Sequence, residues 1–103
     1  MSYTNEEIAW AAGFCTTNEG TDFCLDVDAE FQKWMRMPDW PTDPGAVATW
    51  LLPVLEKRLG GYACWARKDE YVIRSMKKFI PFPISPTWHE CVIEAIMATA
   101  PTP

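Results

Sequence analysis

The stretch Trp40-Pro41-Thr42-Asp43-Pro44-Gly45-Ala46-Val47-Ala48-Thr49-Trp50 is written to start a helix. Asp43 suits the N-cap. Pro44 suits the first helical position, where an amide N–H has no intrahelical partner and the ring pre-sets φ. Val47, Trp50, Leu51, Val54 and Leu55 then share one face, with Thr49 and Glu56 opposite. Pro53 falls in mid-helix, removes the hydrogen bond to the Thr49 carbonyl, and predicts a kink. Gly60 supplies the left-handed residue that ends the helix. A strand follows at Gly61-Tyr62-Ala63-Cys64-Trp65-Ala66-Arg67. After a turn at Lys68-Asp69-Glu70, a second, antiparallel strand runs through Tyr71-Val72-Ile73-Arg74-Ser75-Met76. A helix feeding a hairpin is therefore the frame for this half of the chain.

The remaining elements are read around that frame. Thr4 and Glu7 have capping-box spacing at the start of a short helix that Gly13 ends. Residues 14–25 read either as a loop or as a hairpin with Glu19-Gly20 as its central pair, which would set Cys15 opposite Cys24. Asp26 caps a predicted helix over residues 27–37, with Val27, Phe31, Trp34 and Met35 on one face and Pro38 as its stop. Pro81-Phe82-Pro83-Ile84-Ser85-Pro86 is excluded from a central strand and predicts a stiff connector. Thr87 caps a last helix, with Glu90 three residues on. Trp88, Val92, Ala95, Ile96 and Thr99 form its buried face.

At 103 residues the chain reads as one domain. An acidic helical and loop region covers residues 1–39, and a helix–hairpin–helix core covers residues 40–100. The expected class is α+β: a small antiparallel sheet of two or three strands, packed in layers with three or four helices. A sheet that small is marginal alone, so a homodimer covering its edge is a further expectation. Hydrophobic residues make up 49% of the chain, which argues against disorder. The six tryptophans are expected mainly in the core, with some available as interface anchors.

Charge is unevenly spread. Residues 1–43 hold nine acids against Lys33 and Arg36, whereas residues 44–103 carry a slight excess of bases. An acidic balance argues against general nucleic-acid binding, because phosphate contacts dominate that affinity. The polar, acidic N-terminus lacks the pattern of a signal peptide, and no apolar run is long enough to span a bilayer. The expected location is the cytoplasm, where Cys15, Cys24, Cys64 and Cys91 would stay reduced.

Candidate chemistry is sparse. Cys15, Cys24, Cys64, Cys91 and His89 are zinc-type ligands, but His89 and Cys91 lie two apart on a helix and point about 200° apart. A satisfied, half-buried His89 is the expectation, and no metal or other cofactor is expected. Phosphate-loop, nucleophile-elbow and metalloprotease motifs are absent from the sequence, so an enzyme is not expected. Two surfaces remain. Asp22, Asp26, Asp28 and Glu30, with Trp34 and Trp40, form a candidate partner-binding set. Arg67, Lys68, Arg74 and Lys78 form an alternative anion-binding set on the hairpin.

Several segments together resemble a known family. These are the N-terminal Asn5-Glu6-Glu7-Ile8-Ala9, the helix start Trp40-Pro41-Thr42-Asp43-Pro44-Gly45-Ala46-Val47-Ala48, the hairpin, and Ser85-Pro86-Thr87-Trp88-His89-Glu90-Cys91-Val92-Ile93-Glu94-Ala95-Ile96. In this order they resemble the small phage-encoded α/β proteins known as the phage ABA sandwich domain. The resemblance covers roughly residues 40–98 and, more weakly, 1–13; it departs at 14–37 and at Pro53. It implies a phage or prophage origin and a layered α/β fold, and it brings no activity. The expected function is therefore that of a phage accessory protein in the host cytoplasm. It would bind a host protein without catalysis, and a defence factor is the natural target class. A nucleotide- or nucleic-acid-binding module using the basic hairpin is the alternative, and a small metal-dependent enzyme stands third.

Overall fold

In a computed structural model the chain is described over residues 3–24, 34–60, 62–67, 70–75 and 84–100; within residues 61–85, side chains are described at 66, 70–73 and 85. The fold is a small α+β arrangement. Its order is α1 (Asn5–Ala11), β1 (Cys15–Thr16), β2 (Asp22–Cys24), β3 (Met35–Arg36), a 3-10 turn (Trp40–Thr42), α2 (Pro44–Ala46), a π-turn (Val47–Leu51), α3 (Leu52–Leu59), β4 (Tyr62–Arg67), β5 (Glu70–Ser75), β6 (Ile84–Ser85) and α4 (Trp88–Ala98). The strands divide into two antiparallel sheets, β1-β2-β3 and β4-β5-β6.

Capping chemistry starts the helices where the sequence places it. The Thr4 side chain accepts from the Glu7 N–H, and the Glu7 carboxylate accepts from the Thr4 N–H, closing the capping box of α1. Asp43 accepts from the Ala46 N–H at 3.1 Å. Thr87 does the same for Glu90. Gly60 ends α3 at φ 62°, a conformation that glycine adopts without a Cβ penalty.

The disturbance expected at Pro53 takes the form of a widened turn immediately ahead of it. The Leu52 N–H reaches the Val47 carbonyl, five residues back, and Pro53 follows on the exposed side. The spacing of the buried residues gives the reason. Val47, Leu51, Leu55 and Leu59 are all fully buried and lie four apart. On a regular helix four residues turn through about 400°, so such a stripe drifts by about 40° per step. A π-turn takes more residues per revolution and cancels part of that drift. Pro53 has no N–H to lose.

α4 is the central element. It contacts α1, the π-turn, α3, β5 and β6. Its buried residues are Cys91, Val92, Ile93, Ala95 and Ile96, a broader set than one amphipathic stripe. Trp88 and Thr99, expected in the buried face, are only half-buried. Each fully buried Leu, Ile or Val contributes roughly 1.5–3 kcal/mol relative to exposure. One continuous cluster joins Ile8 and Ala9 of α1, Phe14, Phe23, Trp40, the stripe from Val47 to Leu59, Ile73, and α4.

The structure resolves the two readings of residues 14–25 in favour of the hairpin. Cys15 pairs with Cys24 and Thr16 with Phe23. The predicted helix over 27–37 is not realised at its end: Met35 and Arg36 are extended and pair with Phe23 and Asp22. Pairing to a strand that buries Phe23 outweighs a weak helical preference, and Pro38 biases the residue before it toward extended backbone. The rest of that segment, residues 25–33, lies outside the described residues. Ile84 and Ser85 are not merely a connector. They pair with Val72 and Tyr71 as an edge strand, the position in a sheet that tolerates neighbouring prolines.

Candidate functional site

The first sheet carries the most distinctive surface among the described residues. Its turn is built locally. The Gly20 N–H donates to the Thr17 carbonyl at 2.9 Å, the Thr17 N–H to the Asp22 carbonyl at 3.1 Å, and the Asp22 N–H to Thr17 Oγ1 at 3.2 Å. Gly20 sits at φ 71°, and a Cβ there would also run into the Glu6 carboxyl. Glu6 therefore lies over the turn, with Asn18 and Glu19 exposed at its tip.

Two tryptophans flank this hairpin. Trp10 is 54% exposed and Trp34 is 42% exposed, the large hydrophobic residues most exposed among those described. The Trp10 Nε1–H donates to Thr16 Oγ1 at 2.7 Å, which ties α1 to β1. Thr16 in turn lines an open groove of ≈ 600 Å³ together with Thr17, Asn18, Glu19, Thr21, Asp22 and Trp34. Asp22 also lines a second groove, of ≈ 610 Å³, beside Glu6 and Arg36. Glu6, Glu19 and Asp22 thus line the two grooves around the hairpin, and Arg36 lines the second of them.

The inner face of the same sheet is aromatic. Phe23 packs edge-on against Trp40 at 5.5 Å and against Trp50 at 5.9 Å, and Phe14 stacks obliquely on Phe23 at 5.5 Å. Trp40 is the correction here. Expected as a partner contact, it is 0% exposed and belongs to the core, because the Trp40–Thr42 turn folds its ring inward under Phe14 and Phe23. Its indole N–H is enclosed and has no hydrogen-bond partner among the described residues. Its backbone N–H donates to Asn5 Oδ1 at 3.1 Å.

Of the other sequence-predicted residues, Asp22 and Trp34 are brought together at one groove. Asp26, Asp28 and Glu30 lie outside the described residues. In the alternative basic set, Arg67 and Arg74 occupy β4 and β5, opposite Glu70 and Ala63. Their side chains, Lys68 and Lys78 lie outside what is described. Trp10 was missed as a surface residue. It stands about 200° around α1 from Ile8, on the side away from the core, so helical spacing already held the signal.

Elsewhere, His89 and Cys91 are occupied structurally. His89 Nε2 lies 2.7 Å from the Pro41 carbonyl, as a satisfied, half-buried histidine would. Cys91 donates to the Tyr71 carbonyl at 3.3 Å. Among the described residues, no group of three or more His, Cys, Asp or Glu side chains is placed to hold a metal ion. None of the described helices is long and apolar enough to cross a membrane. Comparison with protein-family models, with curated proteins and with solved structures found no match to this chain.

Proposed function

We propose that this protein acts by non-catalytic binding to another protein, through the outer face of the first sheet. The observation that carries the reading is the placement of Trp10 and Trp34, both well exposed and both attached to one three-stranded sheet. Tryptophan is enriched among the energetic anchors of protein interfaces, and two of them stand exposed beside one sheet. The likeness of the helix-start and final-helix segments to the phage ABA sandwich domain makes a host protein the natural partner. A defence factor is the target class that fits a small accessory protein.

The test is affinity capture from host lysate with the wild-type chain and with a Trp10→Ser/Trp34→Ser double variant. The expected result is a stoichiometric protein partner that the wild type retains and the variant loses, with unchanged circular dichroism. A partner held equally by both forms would move the interface elsewhere on the molecule.

A further inference from the structure

Resting on that reading, we infer that the partner presents a cationic segment, and that an arginine or lysine from it docks in the groove beside Trp34. The chain from Tyr3 to Cys24 contains Glu6, Glu7, Glu19 and Asp22 and no Lys or Arg. The groove of ≈ 600 Å³ places Glu19 and Asp22 in the same lining as the exposed Trp34. An indole face attracts a cation through its quadrupole, most strongly a guanidinium, which can also stack flat on it. Carboxylates at the edge of the same groove can accept the guanidinium N–H donors. Thr16, Thr17 and Thr21 complete the lining, with hydroxyls engaged by Trp10, by the Asp22 N–H and by one another.

The surrounding charge fits a positive guest. Glu6 leans over Gly20 at the hairpin turn, next to Asp22. Lys33, next to Trp34 in sequence, lies outside the described residues; among those described, Arg36, opposite Asp22 in the ladder, is the opposing charge on this sheet. It lines the neighbouring groove rather than the one at Trp34. A hydrophobic, uncharged partner segment would leave both groove carboxylates desolvated and unpaired, which disfavours it. A nucleic acid would bring phosphates against carboxylates.

The probe is a hexa-arginine peptide, titrated into the full chain and followed by the indole N–H resonances of its six tryptophans. Hexa-glutamate serves as the control. Hexa-arginine should shift the Trp34 and Trp10 indoles at low salt and leave the indole of buried Trp40 in place. The binding should weaken about fivefold in Trp34→Leu. In Glu19→Gln/Asp22→Asn it should weaken by a similar factor, and the indole dispersion of the free protein shows that both variants fold. Trp34→Phe, which keeps an aromatic face, should recover part of the affinity.

Hexa-arginine shifts that avoid Trp34, or equal shifts with hexa-glutamate, overturn the cationic guest. The interface reading survives that outcome if the double tryptophan variant still loses its captured partner. Both ideas fall if capture is indifferent to the tryptophans and the peptide is indifferent to Trp34.

Discussion

The Arg58 guanidinium donates through Nη2 to the carbonyl of Ala11 at 2.5 Å, joining the last turn of α3 to the last turn of α1. Nη1 reaches the Ile96 carbonyl in α4 at 3.4 Å. One side chain thus serves the C-terminal ends of two helices, whose carbonyls lack intrahelical donors and carry partial negative charge. Burial lowers the Arg58 pKa from its ordinary value, yet the group stays charged across the usable pH range.

Arg58→Met keeps the apolar stem and removes the donors. It should cost about 1–2 kcal/mol by urea unfolding, the range for half-exposed hydrogen bonds to a charged group. Arg58→Lys should recover less than half, because one ammonium cannot serve two carbonyls from a planar fork. A loss below about 0.5 kcal/mol for Arg58→Met would show that the three helices hold together by apolar packing alone.

Tyr3 and Glu94 set a pH dependence at the other end of α1. The Tyr3 hydroxyl donates to Glu94 Oε2 at 3.1 Å. Burial, then the Glu94 charge and this hydrogen bond, raise the phenol above its ordinary 10.0. The folded state therefore holds the proton more tightly than the unfolded chain. This contribution is fully present below about pH 10 and is lost as pH rises through the raised value. Thermal midpoints across the alkaline range should fall more steeply for the wild type than for Tyr3→Phe. Parallel curves would remove the pair from the account.

Cys15 and Cys24 oppose one another in the ladder and are not joined by a disulfide. Directly opposed antiparallel residues have Cα atoms about 4.5–5.5 Å apart, inside the range a disulfide spans. A mild oxidant should join them without refolding, detected as the loss of two hydrogens by mass spectrometry in the peptide containing both. Closing so short a loop should stabilise the fold by about 2–3 kcal/mol where the geometry is unstrained. Cross-linking of other cysteines in preference would contradict the register.

The π-turn makes a prediction about chain length. Because it acts as one extra residue in the helix, deleting exposed Ala48 together with Pro53→Ala should convert it to a regular α-turn and keep Leu55 and Leu59 facing the core. Deleting Glu56 in α3 instead rotates Leu59 by about 100° away from the core. The first variant should stay folded with a loss of about 1–3 kcal/mol, whereas the second should lose most of its cooperative unfolding. Equal damage from the two would show that the widened turn carries no slack.

The legible parts of the fold were those in which a residue and its partner lie within one turn. Thr4 with Glu7, Asp43 with Ala46, Thr87 with Glu90 and the left-handed Gly60 are local chemistry, written in consecutive residues and realised as written. The hairpin pairing β4 with β5 was legible for the same reason, since its two strands are separated by a short turn. The candidate site was legible only in part. Asp22 and Trp34 were named from charge and aromatic content. That they share a groove depends on β3 pairing with β2, a contact between segments a dozen residues apart.

By itself, then, the sequence determined the starts of α1, α2 and α4, the end of α3 at Gly60, the α+β class and the acidic character of the N-terminal half. Tertiary structure decided that Trp40 is buried and Trp34 presented. Trp40 goes under Phe14 and Phe23, and Trp10 and Trp34 stay outside. Helical spacing already set Trp10 away from the core, whereas burying Trp40 and presenting Trp34 took the packing of the first sheet against α1 and the π-turned helix. The same packing turned residues 35 and 36 from an expected helix into a strand, because a ladder partner outweighs a weak local preference.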